Sequence, residues 1–186
     1  MSSRRAGIVV VNYGSSEMVL RNVRATAGPQ DLVVVVDSWS SAAEREAVLG
    51  LGEENGWIVE TPDFNTGFGA GMNIGVARAF AEGATSVLLL NPDARLAPVD
   101  VSRLLEQVEV DQNLLVAPRI VTSDGSPWMS TTIDLRLADG TVGSSRRRQP
   151  GTEVMEWVSG AVMGVSRDLW ERVRGFDEEY FLYWED

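Results

Sequence analysis

Residues 7–13 read GIVVVNY, an unbroken apolar, mostly β-branched run that closes on asparagine and tyrosine. A strand with one wet face alternates apolar and polar residues. A run without alternation fits a strand covered on both faces, as in a parallel sheet wrapped by helices. The same pattern recurs at residues 32–36 (LVVVV), closing at Asp37, and at 86–90 (SVLLL), closing at Asn91-Pro92-Asp93. Shorter strands are predicted at 57–60 and 114–121.

Helical periodicity fills the gaps between these strands. Ser15 or Ser16 is placed to cap a helix with Leu20, Val23 and Ala27 on one face. Ser41 and Glu44 have the spacing of a capping box, ahead of Ala43, Ala47, Val48 and Leu51. The glycine-rich run 67–75 passes into a helix through Phe80, and Val101, Leu104, Leu105 and Val108 mark another. Strands and helices in alternation argue for one α/β domain over residues 1–186, a mainly parallel, Rossmann-like sheet flanked by helices. Right-handed crossovers put the carboxyl ends of the strands on one edge, where ligands of such sheets bind. Asp37 and Asp93 fall on that edge. After Val121 the rhythm breaks. Turn signals at 123–125 and 138–141 suggest a small edge hairpin within 128–142, strand character returns over 155–165, and Ser166 is placed to cap a short helix ending near Gly175.

Acidic residues outnumber basic ones 27 to 16, for a net charge of -11, and every basic residue is arginine. That balance argues against a nucleic-acid surface, which needs a basic footprint. With no lysine, histidine or cysteine in the chain, a Walker lysine, a Schiff base, a Ser-His-Asp triad, a cysteine nucleophile and a Cys/His zinc site are excluded. An anionic substrate would need a local positive charge, and a divalent metal supplies one. No stretch reaches the roughly 20 apolar residues of a membrane span. The absence of cysteine is compatible with a cytoplasmic location.

Five blocks, in order, carry a resemblance: VVNYGS, VVVVDS, NTGFGAGMNIG, LLLNPDA and WVSGAVMGVSRDLWERVRGFDEEYFLYWED. Together they span residues 7–186 and resemble family 2 glycosyltransferases of the GT-A fold, especially their rhamnosyltransferase-like branch. The resemblance implies inverting transfer of a sugar from a nucleotide diphosphate sugar, with a dTDP- or UDP-sugar (dTDP-rhamnose among them) as donor and a saccharide or lipid-linked saccharide as acceptor. It also implies a Mg²⁺ or Mn²⁺ ion and further acceptor-side chain beyond Asp186.

The resemblance assigns roles residue by residue. Asn12 and Tyr13 fall in the nucleotide-binding block after the first strand. Asp37 matches the aspartate that hydrogen-bonds the base; a turn or capping aspartate is the other reading, and Ser38-Trp39 departs from the usual asparagine after it. Asn65, Gly67 and Asn73 match the glycine-rich block near the donor, where glycine admits a close backbone approach. Tight helix–strand packing explains the same glycines. Asn91 and Asp93 stand where the family has its DxD motif, with Asp93 as metal ligand; Asn-Pro-Asp is also ordinary turn chemistry. Gly160 matches the segment beneath the sugars, or packs tightly in a strand. Asp186 matches the general base and Glu185 its neighbour; a charged tail is the alternative. Arg146, Arg147 and Arg148 read as a solvated loop, with a pyrophosphate-bearing acceptor or peripheral contact with an anionic membrane surface as alternatives.

Other readings meet specific objections. A sugar-phosphate nucleotidyltransferase needs a glycine-rich, basic loop after the first strand, which residues 11–16 do not supply. The glycines around 67–71 follow a loop rather than the first strand, unlike a dinucleotide fingerprint. A nucleotide-binding module without catalysis keeps the same donor residues and differs only at Asp186.

Overall fold

The computed structural model describes residues 5–126, 133–136, 141–144, 155–157 and 159–181. Glu185, Asp186 and the 146–148 arginine cluster lie outside the described residues.

The alternation appears as expected: β1 (Ala6–Asn12), α1 (Ser16–Thr26), β2 (Leu32–Asp37), α2 (Ala42–Asn55), β3 (Ile58–Glu60), α3 (Phe68–Ala81), β4 (Ser86–Leu90) and α4 (Pro98–Val110). Beyond them come β5 (Leu115–Val116), β6 (Ile133–Arg136), β7 (Thr141–Ser144), β8 (Met155–Trp157), β9 (Val162–Ser166) and α5 (Arg167–Val173). The main sheet has the order β3-β2-β1-β4-β9-β5. β1 runs parallel to β2, from Gly7 opposite Leu32 to Asn12 opposite Asp37, and parallel to β4 on its other side.

Double-sided burial explains the unbroken apolar runs. Val9, Val11, Val34, Val36, Val87 and Leu89 face α3, where Met72, Val76, Ala79 and Phe80 cover them. Ile8, Val10, Val33, Val35, Leu88 and Leu90 face the other way, toward Val19 and Val23 of α1, Val48 of α2, and Val101, Leu105 and Val108 of α4. A period of two along each strand thus feeds two cores. Helix α3 sits close to the sheet because it carries glycine. A Cβ on Gly71 would lie 2.9 Å from Val11 Cγ2, and one on Gly75 would collide with Val9 Cγ1. At these two positions the glycines serve packing.

Four local expectations need correction. The strand foreseen at 114–121 shrinks to Leu115–Val116, because Pro118 removes a ladder donor and the stretch is not fully buried. β9, buried along its length, lies between it and β4 and pairs antiparallel with both. The run 155–165 divides at a turn over Gly160–Ala161, giving β8 to a separate sheet of order β7-β6-β8 and β9 to the main one. The foreseen hairpin forms between β6 and β7 within that smaller sheet. In α1 the buried face is Val19, Asn22, Val23 and Thr26, not Leu20, Val23 and Ala27, and Ser15 makes no side-chain cap. Ser41 Oγ does accept from Glu44 N at 3.1 Å, but the Glu44 carboxylate does not return to Ser41. It crosses instead to α1.

Candidate functional site

From β1 the chain moves outward to β2 and β3, then returns past β1 to β4. The gap between β1 and β4 at the carboxyl edge is therefore the topological switch point, the usual ligand crevice of such sheets. A cleft of about 550 Å³ opens there, lined by Tyr13, Ser15 and Met18 after β1, by Ser38, Asn65, Gly67 and Phe68, by Asn91, Pro92 and Asp93 after β4, and by Phe181. That size suits a cofactor-sized ligand. Of the residues singled out from sequence, Tyr13, Asn65, Gly67, Asn91 and Asp93 meet in this cleft; Asn12, Asp37, Asn73 and Gly160 are not among those lining it.

Beneath the β1–β2 side lies a closed polar network. Asn12 and Asp37 are both fully buried. Asp37 Oδ2 accepts from Arg45 Nε at 2.8 Å, and its Oδ1 from Asn12 Nδ2 at 3.4 Å. Asn12 Oδ1 accepts from the Ser15 amide at 3.0 Å and the Ser15 hydroxyl at 2.9 Å. Glu44 accepts from the Ser16 amide, the Ser16 hydroxyl and Asn12 Nδ2. Arg45 also donates to the carbonyl of Pro62 and lies over the Trp39 ring, 4.5 Å from its centroid. Trp39 takes φ +38° to present that ring, an uncommon conformation for a bulky side chain.

Helix N-termini attract anions when their amides are free. Here the leading amides of each are occupied. At the start of α1, Asn12 and Glu44 take the amides of residues 15 and 16. Ahead of α3, Ser38 Oγ accepts from the Thr66 amide at 3.1 Å, Asn65 Oδ1 from the Gly67 amide at 3.0 Å, and the Phe181 carbonyl from the Phe68 amide at 3.3 Å. The glycine-rich block thus does not present these amides to a phosphate. Gly67 has φ +80°, and a Cβ there would run into the Phe181 carbonyl.

The β4 side is built differently. Asn91 N donates to the Ala161 carbonyl at 2.9 Å, beside Gly160, and Ala94 N closes the Asn-Pro-Asp turn on the Asn91 carbonyl at 3.0 Å. Two polar residues on the buried face of α1 hold the loop. Asn22 Nδ2 donates to the Pro92 carbonyl at 2.7 Å, and Thr26 Oγ1 accepts from the Leu96 amide at 3.1 Å. Yet Asn91 Oδ1 is buried and has no hydrogen-bond partner among the described residues. Asp93, two residues on, is exposed and is the one charged residue among the described residues lining the cleft. No cluster of three or more acidic or metal-binding side chains occurs among the described residues. A bare acceptor and, two residues on, an exposed carboxylate are hard oxygen groups of the kind a divalent cation takes, with ligand oxygens and water to complete it.

Asn73 is used elsewhere. Its Nδ2 donates to the Phe176 carbonyl at 3.0 Å and to Glu178 at 2.9 Å, and its Oδ1 accepts from the Phe176 amide at 2.9 Å. Sequence reasoning passed over Asn22, Thr26 and Arg45. Asn22 and Thr26 carried a signal, since polar residues four apart beside Val19 and Val23 share the buried helix face.

The description "Glycosyl transferase family 2" belongs to a family model that matches residues 8–181. The chain belongs to that family. A hexosyltransferase of low-salt glycan biosynthesis, Agl10 of Haloferax volcanii, is 24% identical over 96% of this chain and 58% of its own length. The N-acetylglucosaminyl-diphospho-decaprenol L-rhamnosyltransferase of Mycobacterium tuberculosis is 28% identical over 54% of this chain and 38% of its own. The family 2 chain thus spans well under two thirds of these relatives. Among solved structures, the mannosyltransferase PcManGT of Pyrobaculum calidifontis, in complex with GDP-Man and Mn²⁺, aligns with TM-score 0.67 at 17% identity, covering 96% of this chain and 49% of that one. S. aureus TarS 1-349 in complex with UDP gives 0.65 at 17%, covering 95% and 51%. These similarities establish the GT-A fold. No helix among the described residues is long and apolar enough to cross a membrane.

Proposed function

We propose that this chain forms the donor side of a metal-assisted, inverting glycosyltransferase that acts in the cytoplasm. It takes a hexosyl group from a dTDP- or UDP-sugar to a hydroxyl of a saccharide or lipid-linked acceptor. The observation that carries the reading is the β4 end of the cleft, where Asn91, its Oδ1 buried without a partner among the described residues, and the exposed Asp93 two residues on both line the wall. With the leading amides of α1 and α3 occupied and no arginine among the described residues lining the cleft, a divalent cation would supply the counter-charge for a nucleotide diphosphate. Asn91 and Asp93 would hold that ion, which neutralises charge on the departing diphosphate.

The relatives support the coarser class, a nucleotide diphosphate donor. PcManGT and TarS are described with GDP-Man and UDP, and the mycobacterial relative by a lipid diphosphate acceptor. Tyr13, 59% exposed at the cleft, offers a ring to a base, and Asn65 offers its side-chain Nδ2 as a donor. Asp37 can read a base only after Arg45 leaves it; otherwise it fixes Asn12 and Arg45. Glu185 and Asp186 follow the cleft-lining Phe181 by four and five residues, a chain reach of at most about 14–18 Å. That reach is compatible with Asp186 taking the acceptor proton and Glu185 standing beside it.

Calorimetry with UDP and dTDP tests the reading. Mn²⁺ is expected to tighten binding at least tenfold, roughly 1.4 kcal/mol, and Asp93→Ala is expected to remove that gain. Absence of nucleotide binding by the folded wild-type chain, with or without Mn²⁺, would reject the donor site.

A further inference from the structure

We infer that Asn73 is a positioning residue, not a donor contact: with Gly175 it forms a clasp that seats residues 176–181 against α3 and so builds one wall of the cleft. The inference rests on the donor-site reading for its functional consequence, but its geometry stands alone. Helix α5 ends in two consecutive left-handed residues, Arg174 (φ +69°) and Gly175 (φ +70°), which turn the Phe176 amide and carbonyl toward α3. The Asn73 side chain meets both, as donor and as acceptor, and holds Glu178 as well. A Cβ on Gly175 would strike Asn73 Oδ1, so the pairing needs glycine on one side as much as an amide on the other.

Aromatic packing secures the same register. The Phe176 ring sits 5.8 Å from Phe68 of α3 and 5.4 Å, edge to face, from Trp170 of α5. Five residues further on, the Phe181 carbonyl takes the Phe68 amide over the bare Cα of Gly67, and Phe181 lines the cleft. The asparagine and glycine that look like parts of a phosphate loop thereby act as a rail for a segment about a hundred residues later. Asn73 touches the donor only through that wall.

Amide hydrogen exchange resolved by NMR tests the clasp without any nucleotide. In Asn73→Ala, protection of the Phe176 amide and of the distant Phe68 amide is expected to fall at least tenfold, while Val9, Val34 and Leu88 keep theirs. Gly175→Ala, which leaves Asn73 in place, is expected to do the same. Affinity for UDP with Mn²⁺ should then fall in both variants by a similar factor, about tenfold. Unchanged Phe68 protection in Asn73→Ala would overturn the inference, and a loss of affinity confined to that variant would show direct donor contact instead. If the wild-type chain binds no nucleotide, the donor site fails and the exchange measurements still decide the clasp.

Discussion

Two strand ends on the same edge of the sheet are finished in opposite ways. Where β1 and β2 stop, Asn12, Asp37, Glu44 and Arg45 all have protein partners, and Asn12 and Asp37 are sealed from solvent, although Ser40 Oγ nearby is buried without a partner among the described residues. Where β4 stops, Asn91 Oδ1 lacks a partner among the described residues and Asp93 stands free. Buried polar groups are nearly always satisfied, so a bare one calls for a partner such as water, an ion or a ligand, and of the bare atoms here Asn91 Oδ1 belongs to a residue lining the cleft. The conspicuous aspartate of β2 is tied into the protein's own network, and the proposed reading puts the asparagine after β4 in the donor site.

The largest effect should come from breaking the closed end. Asp37→Ala strands Arg45, whose side chain is only 19% exposed, and removes a partner of Asn12. Removing one member of a buried pair costs about 3–5 kcal/mol, and partial exposure of Arg45 points to roughly 3. Urea unfolding should show it. Asp93→Ala, at an exposed turn, should change stability by no more than about 0.5 kcal/mol, yet lower Mn²⁺-dependent UDP affinity about a hundredfold, roughly 2.7 kcal/mol. Equal destabilisation by the two variants would erase the distinction between the ends.

The fold was legible because its strands are buried on both faces, and a run such as GIVVVNY has few other homes. Asp93, Asn91, Tyr13, Asn65 and Gly67 were legible as cleft residues because strand ends and the glycine-rich block could be placed on one edge. The antiparallel insertion of β9 was not, since nothing local to 162–166 says which two strands, far apart in sequence, will flank it. The role of Asn73 was hidden for the same reason, its partners lying 103 and 105 residues away. Glu44 misled by local logic. Its spacing from Ser41 fits a capping box, and half of that box forms, but the carboxylate gains more by satisfying a neighbouring helix.

Glu44 also gives the next measurement. Glu44→Ala leaves the Ser16 amide and hydroxyl without their acceptor and should cost about 1–2 kcal/mol in unfolding free energy. It should also uncover the α1 N-terminus, so that weak inorganic phosphate binding appears where the wild-type chain shows none. Glu44→Gln keeps an acceptor oxygen and loses only the charge facing the helix dipole, for a smaller loss of about 0.5 kcal/mol. Phosphate binding of equal strength by wild type and Glu44→Ala would mean that the β1 end is open too, removing a main reason to invoke a cation.

The smallest effect on stability, and the sharpest on the comparison, is expected from Asn91→Ala. A buried acceptor without a partner is a liability in the free protein, so deleting it should leave stability unchanged or raise it by up to about 1 kcal/mol. The backbone bonds of residue 91, from its amide to Ala161 and from Ala94 to its carbonyl, need no side chain and should survive. Affinity for UDP should fall about fivefold in the presence of Mn²⁺ and change little without it, roughly 1 kcal/mol of one oxygen ligand. Stability and affinity would then move in opposite directions at a single side chain, as expected of a group held ready for a ligand at the protein's own expense. A loss of 1 kcal/mol or more in urea unfolding would show instead that Oδ1 is already satisfied in the free protein, and that the β4 end is as closed as the β1 end.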